Sequence, residues 1–233
     1  MSNTGFVKPT PVPIPCQSLH SPDSSPVVST VNEMPRAPRD WIDGGIYHVY
    51  SRGSNRQAIF LNEGDYTEFS MLLHAAVCEY QLDVFGWSLM PNHWHGILRC
   101  PSDGLSSFMK HLNHRYALRF DRRWGRTAHV FQHHFGAIHQ ETDEQLLWTL
   151  RYVVRNPVEA GLCSSPYDAR WTSFAATAGL APPPAHLRVD EILALFGGTR
   201  NEARQRYVEF IAPEEPANRH ASLGSVGPTA VAA

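Results

Sequence analysis

The order of the patterned segments between residues 46 and 156 constrains this chain more than any other feature. Residues 46–52 have strand composition and end at Gly53. Tyr66, Phe69, Leu72, Leu73, Ala76 and Tyr80 then recur at helical spacing over 65–80. Residues 82–90 read as a strand, Pro91-Asn92 as a turn and 93–100 as the returning strand of a hairpin. A second helix is expected over 105–124, with Leu105, Phe108, Met109, Leu112, Tyr116 and Phe120 on one stripe, and a short strand over 135–140. Thr142 then caps a third helix, whose first turn holds Asp143 and Glu144, where negative charge suits the helix dipole. This helix carries Leu146, Leu147, Leu150, Tyr152 and Val153, and is expected to run until Asn156-Pro157 interferes with it. The order β-α-β-β-α-β-α predicts an α+β fold: a ferredoxin-like split βαβ antiparallel sheet with helices on one face and its other face free.

The flanks differ in composition. Residues 1–40 are rich in Pro, Ser and Thr and have few large side chains to bury, so a disordered or polyproline-like tail is expected there, and another over 213–233. The patterned segments define a domain over 41–175. After Pro182-Pro183-Pro184, helical patterns at 189–196 and 201–211 predict a small C-terminal helical addition within 185–212.

Composition narrows the function by exclusion. The net charge of -2 offers no global argument for nucleic acid. Cys16, Cys78, Cys100 and Cys163 have no CxxC spacing, which argues for reduced thiols rather than a disulfide scaffold or zinc ribbon. No apolar run reaches membrane-spanning length, so no membrane partner is expected. The first residues lack the basic and apolar regions of a signal peptide, and a cytoplasmic location is expected.

Two short motifs carry chemistry. In Met90-Pro91-Asn92-His93-Trp94-His95, residues two apart on a strand share a face, so His93 and His95 can converge on one divalent ion while Trp94 points into the core. An isolated His-x-His also fits a solvated sheet face. In Leu150-Arg151-Tyr152-Val153-Val154-Arg155-Asn156-Pro157, Tyr152 and Asn156 are four apart and share a helix face. Tyr152 alone reads more readily as a half-buried anchor of the helix. Together the motifs supply what attack on a phosphodiester needs. Two imidazoles and the Asn156 amide oxygen can hold a Lewis-acidic ion, and a phenol can form a covalent intermediate that conserves the energy of the broken bond. No Lys or Glu is obviously placed as a base.

At these motifs the chain resembles the REP-associated tyrosine transposases, a branch of the HUH single-strand endonucleases with one catalytic tyrosine. The resemblance covers about residues 45–174. It rests on Tyr47-His48-Val49 with Arg52-Gly53-Ser54-Asn55-Arg56, on Leu89-Met90-Pro91-Asn92-His93-Trp94-His95, and on Leu112-Asn113-His114-Arg115-Tyr116-Ala117 with Val130-Phe131-Gln132. Arg151-Tyr152 with Asn156-Pro157-Val158-Glu159-Ala160-Gly161-Leu162, then Trp171-Thr172-Ser173-Phe174, complete it. The resemblance implies a ferredoxin-like fold, magnesium or manganese (Mg2+ or Mn2+), and 5′-phosphotyrosine chemistry on hairpin-forming single strands such as REP-like palindromes. His93, His95 and Asn156 would be the metal ligands and Tyr152 the nucleophile, with a homodimer as a family expectation. His133-His134 departs from the pattern, where relatives often carry a Gly and a basic residue.

Positive charge concentrates on Lys110, Arg115, Arg119, Arg122, Arg123 and Arg126 against Asp121, with histidines 111, 114, 129, 133, 134 and 139 in the same stretch. Arg115, Arg119, Arg122 and Arg123 are candidate DNA contacts. So are Arg52 and Arg56, which flank a Gly-Ser-Asn loop. Trp124 and Phe131 are candidates for stacking unpaired bases, whereas Tyr116 sits on the apolar stripe. Tyr47, Tyr50, Tyr66, Tyr80, Tyr167 and Tyr207 read as structural. The main rival is a non-catalytic nucleic-acid-binding module on the same fold, including a domesticated, inactive transposase. A two-histidine phosphoesterase would need two His-x-Ser/Thr motifs, which the chain lacks. A zinc hydrolase using Cys100 is disfavoured, because five residues after His95 that side chain faces away.

Overall fold

The computed structural model describes residues 41–100, 104–132 and 135–212. The expected tails and His133-His134 lie outside the described residues. The elements run β1 (Ile46–Arg52), α1 (Glu63–Glu79), β2 (Asp83–Met90), β3 (His93–Arg99), α2 (Leu105–Trp124), β4 (Gly136–His139) and α3 (Asp143–Glu159). After α3 come α4 (Phe174–Thr177), α5 (Val189–Ala194) and α6 (Arg200–Ile211). The four strands form one antiparallel sheet in the order β2-β3-β1-β4, giving the expected α+β architecture.

Period-two alternation divides the sheet into two unlike faces. Tyr47, Val49, Leu89, Trp94 and Leu98 point to one side and are buried there. Trp94 packs on Phe69 of α1 at 5.3 Å between ring centres, and Phe69 packs on Tyr116 of α2 at 5.1 Å. Local signals start these helices as their chemistry predicts. Asn62 and Asp65 form a capping box at the start of α1, and Gly125 ends α2 in the left-handed conformation. Asp65 is buried and also ties α1 to the end of α2 through Arg123 and the Trp124 indole.

The second face is not free, contrary to the expectation that all helices lie on one side. Helix α3 lies across it against β2. The determinant is Gly86: a Cβ there would meet Leu150 Cδ1 at 2.7 Å and Ser173 Oγ at 3.3 Å. A strand position without a side chain lets α3 come close. Helix α3 also continues past the expected break, to Glu159, with Pro157 inside its last turn. A proline there removes only the bond its N–H would have made to Val153, and the Ala160 N–H still reaches the Asn156 carbonyl at 2.9 Å. Asn156 therefore stays helical and keeps its one-turn register with Tyr152.

The residues after α3 brace both α3 and β2. Phe210 of α6 meets Trp148 at 5.3 Å and lies under the Arg151 guanidinium, while Arg155 donates to the Ile211 carbonyl at 2.9 Å. Along the outer edge of β2, Leu89 N–H donates to Trp171 O and Ser173 N–H to Trp87 O. Val84 N–H donates to His186 O, and Arg188 N–H to Val84 O. Among the described residues, no helix is long and apolar enough to cross a membrane.

Candidate active site

On the face beneath α3, strand pairing places side chains that sequence spacing alone does not bring together. His95 stands opposite Tyr50 of β1 and Ser88 of β2; His93 stands opposite Arg52 and Met90. His48, two residues before Tyr50, shares that face. His48 Nε2 and His95 Nδ1 share a hydrogen bond of 2.9 Å, and both side chains are buried. His93 Nδ1 contacts Asn92 Oδ1 at 2.6 Å. The His93 and His95 ring centres are 4.9 Å apart, and the Asn156 amide lies 3.4 Å from His95 Nε2. With each Nδ1 occupied, the Nε2 atoms remain for a shared ion, that of His95 once the Asn156 amide nitrogen that meets it turns away.

Electrostatics keep these rings neutral. Burial pushes His48 down to about 4. Burial, then the Arg52 charge, brings His93 to about 4 against an opposing hydrogen bond to Asn156. His95 falls furthest, through burial and then the neighbouring charges of His48, His93 and Arg52. Neutral imidazoles retain the lone pairs that bind divalent ions. No group of three or more His, Cys, Asp or Glu gathers as a metal site among the described residues. The donor set here is two histidines and an amide whose Oδ1 must be turned inward, which fits a divalent ion of nitrogen and oxygen preference with open positions. If His95 binds through Nε2, its Nδ1–H must donate to His48, and this fixes the tautomer.

Tyr152 enters from α3. Its ring centre is 5.5 Å from His95 and 5.9 Å from His48, edge-on to both, and the residue is 51% exposed. The phenol is thus beside the buried donors yet open to a large substrate. The sequence-derived set of His93, His95, Asn156 and Tyr152 comes together, and Arg52 stands close enough to depress both histidines.

The remaining arginines divide by location. Arg56 lies in the loop packed against the 91–92 turn, where its carbonyl accepts from Asn92 Nδ2 at 3.0 Å, and both Asn55 and Arg56 have positive φ. Arg115, Arg119, Arg122 and Arg123 belong to α2, across the sheet from the histidines. Arg119 pairs with Glu68, and Arg123 pairs with Glu68 and Asp65. Sequence reasoning missed His48 and treated Tyr50 as structural, although Tyr50 stands on the site face and is 37% exposed. The available signal was the alternation of His48, Tyr50 and Arg52 along β1.

A split βαβ sheet with a histidine pair under a helix-borne tyrosine defines a compact α+β domain. Residues 42–156 match the family described as "Transposase IS200 like", and that segment of the chain belongs to the IS200-like transposases. Among solved structures, the chain is similar to a REP-associated tyrosine transposase bound to a REP hairpin, with TM-score 0.55 and 19% identity, covering 66% of this chain and 90% of that one. A protein from Deinococcus radiodurans R1 matches with TM-score 0.38 and 16% identity, covering 49% and 92% of the two chains. The tRNA(His) guanylyltransferase of Saccharomyces cerevisiae matches with TM-score 0.40 and 13% identity, covering 72% and 77%. The last two scores are too low to carry fold or function. No curated protein matches the sequence.

Proposed function

We propose that this chain is a metal-dependent single-strand endonuclease and transposase that nicks and rejoins hairpin-forming DNA through a 5′-phosphotyrosine on Tyr152. The observation that carries the reading is an accessible phenol held edge-on to two buried, neutral histidines, with Asn156 one turn away on the same helix. A divalent ion, magnesium or manganese, held by His93, His95 and Asn156 would supply Lewis-acid charge at the non-bridging phosphate oxygens. Tyr152 gives up its phenolic proton to water as Oη forms the new bond to phosphorus, the bond from phosphorus to the 3′-oxygen breaks, and the departing 3′-oxygen takes up a proton to become the hydroxyl. The reverse attack by a 3′-hydroxyl rejoins the strand and frees the phenol. His48 holds His95 in its ligand tautomer, and Arg52 adds positive charge where the phosphate arrives.

For the DNA path we propose Arg52 and Arg56 at the site end of the sheet, with Arg115, Arg119 and Arg122 as a second basic surface on α2. Arg119 is held by an exposed ion pair worth about 0–1 kcal/mol, so a phosphate can compete for it. Arg123 covers the buried Asp65 carboxylate, and stripping a partner from a buried charge costs about 3–5 kcal/mol. Arg123 is therefore better assigned to joining α1 and α2 than to DNA.

The test is incubation with a labelled single-stranded hairpin and Mg2+ or Mn2+. A denaturation-resistant protein–DNA adduct is expected from the native chain and none from Tyr152→Phe. Cleavage by the Phe variant would remove Tyr152 as nucleophile. Binding without cleavage in both would favour the alternative, a domesticated nucleic-acid-binding module.

A further inference from the structure

Tyr50 is the second aromatic side chain beside the histidine pair. It stands opposite His95 on the neighbouring strand, with its ring centre 5.9 Å from His95 and 5.6 Å from His48. On its other side, it is paired with Gly136 of the edge strand β4. A Cβ built on Gly136 would fall among Cζ, Cε1 and Oη of the Tyr50 ring, so the ring lies down across a position that tolerates no side chain. One ring face is thus committed to backbone, the residue keeps 37% of its surface open, and its hydroxyl makes no hydrogen bond among the described residues. Tyr50 is open at the surface, unlike the buried Tyr116, whose hydroxyl donates to the Ile59 carbonyl.

The surroundings select the ligand. Arg52 is on the same face two residues along β1, about 6.6 Å away by the ordinary strand rise, a span that one nucleotide crosses. A flat aromatic surface beside a cation directed at phosphate fits a nucleotide with its base unpaired. Every base has a π-face, so such a surface takes a base without reading its identity.

We infer that Tyr50 is a stacking platform for one unpaired nucleobase adjoining the phosphate at the histidine site. The inference rests on the reading of that site as the place where single-stranded DNA enters. It makes Gly136 part of the same subsite, since it leaves room for the ring, and it gives β4 a role that its shortness alone does not explain.

The test measures equilibrium binding of a fluorescent single-stranded oligonucleotide, with Mn2+, in a Tyr152→Phe background where no covalent adduct forms. Tyr50→Ala is expected to weaken binding about 5- to 150-fold, the range that loss of one base stack gives, while Tyr50→Phe and Tyr50→Trp bind like the parent. Gly136→Val, which displaces the ring without altering it, should weaken binding as Tyr50→Ala does. An abasic nucleotide moved along the oligonucleotide should weaken parental binding at one position, and there Tyr50→Ala should cost nothing more. Parental affinity in Tyr50→Ala, or losses that add at every abasic position, would overturn the inference. A native chain that forms the adduct while Tyr50→Ala binds normally sinks the platform alone; a native chain that binds no single strand sinks the nuclease reading with it.

Discussion

His48 shows how much of a site can rest on a residue that touches no substrate. Its ring has a polar partner at 2.9 Å on one side and sits otherwise in low-dielectric surroundings, so the orientation of His95 depends on it. Replacing such a partner typically lowers metal affinity about 10- to 100-fold. His48→Ala is therefore expected to weaken Mn2+ binding by that factor, read by calorimetric titration of the DNA-free protein, with the thermal transition of the fold retained. Unchanged Mn2+ affinity would show that His95 is oriented by other means. The His93-x-His95 pair and the Tyr152–Asn156 pair were legible because each lies within one element at that element's own period. His48 and Tyr50 were not, because they join the site through the pairing of β1 with β3, and periodicity along one strand does not reveal its partner's register.

Among the elements, α3 carries both Tyr152 and Asn156, and α6 holds it in place through Phe210 and the Ile211 carbonyl. That the helix crosses the histidine-bearing face was hidden in the sequence, because the deciding residue is Gly86, a missing side chain in another element. Another inter-element contact gives a pH dependence. His186, in the segment beside β2, meets His74 of α1 at 2.8 Å between Nδ1 atoms, with the Trp87 ring 6.2 Å away. Burial first, and the like charge of His74 second, bring His186 from 6.5 down to about 4. The folded chain thus takes up this proton later than the unfolded chain. The contact is neutral to stability above about pH 6.5, weakens the fold as pH falls towards 4, and adds no further loss below that. Because the ring is partly exposed, a loss of about 1 kcal/mol is expected rather than the full value of the shift. Across that window the urea midpoint of the native chain should fall relative to that of His186→Gln as pH falls; a constant difference would refute the assignment. His48, His93 and His95 shift in the same direction in both proteins and cancel in the comparison.

At the scale of the whole molecule, the sheet separates two kinds of surface. One side is an aromatic core under α1 and α2; the other is a polar site under α3. The order of elements, and with it the α+β architecture, could be read from hydrophobic periods because each helix and strand buries a stripe of its own. The destination of the basic residues on α2 could not. A run of arginines looks the same in sequence whether it faces a nucleic acid or the acids of a neighbouring helix, and Glu68 and Asp65 of α1 take up Arg119 and Arg123. The segments at 171–173 and 186–188 occupy the outer hydrogen-bonding groups of β2. Without the second of them, the Val84 end of the strand would present unpaired donors and acceptors, the kind of template on which another chain can extend. A protein ending after residue 181 is expected to self-associate with rising concentration in light scattering while the intact chain does not; equal scattering by the two would show the edge protected by something else. The residues after 181 are thus expected to guard that edge against polymerisation. With that edge covered, the other edge strand of the sheet is β4, four residues long, a short seam for strand-to-strand growth.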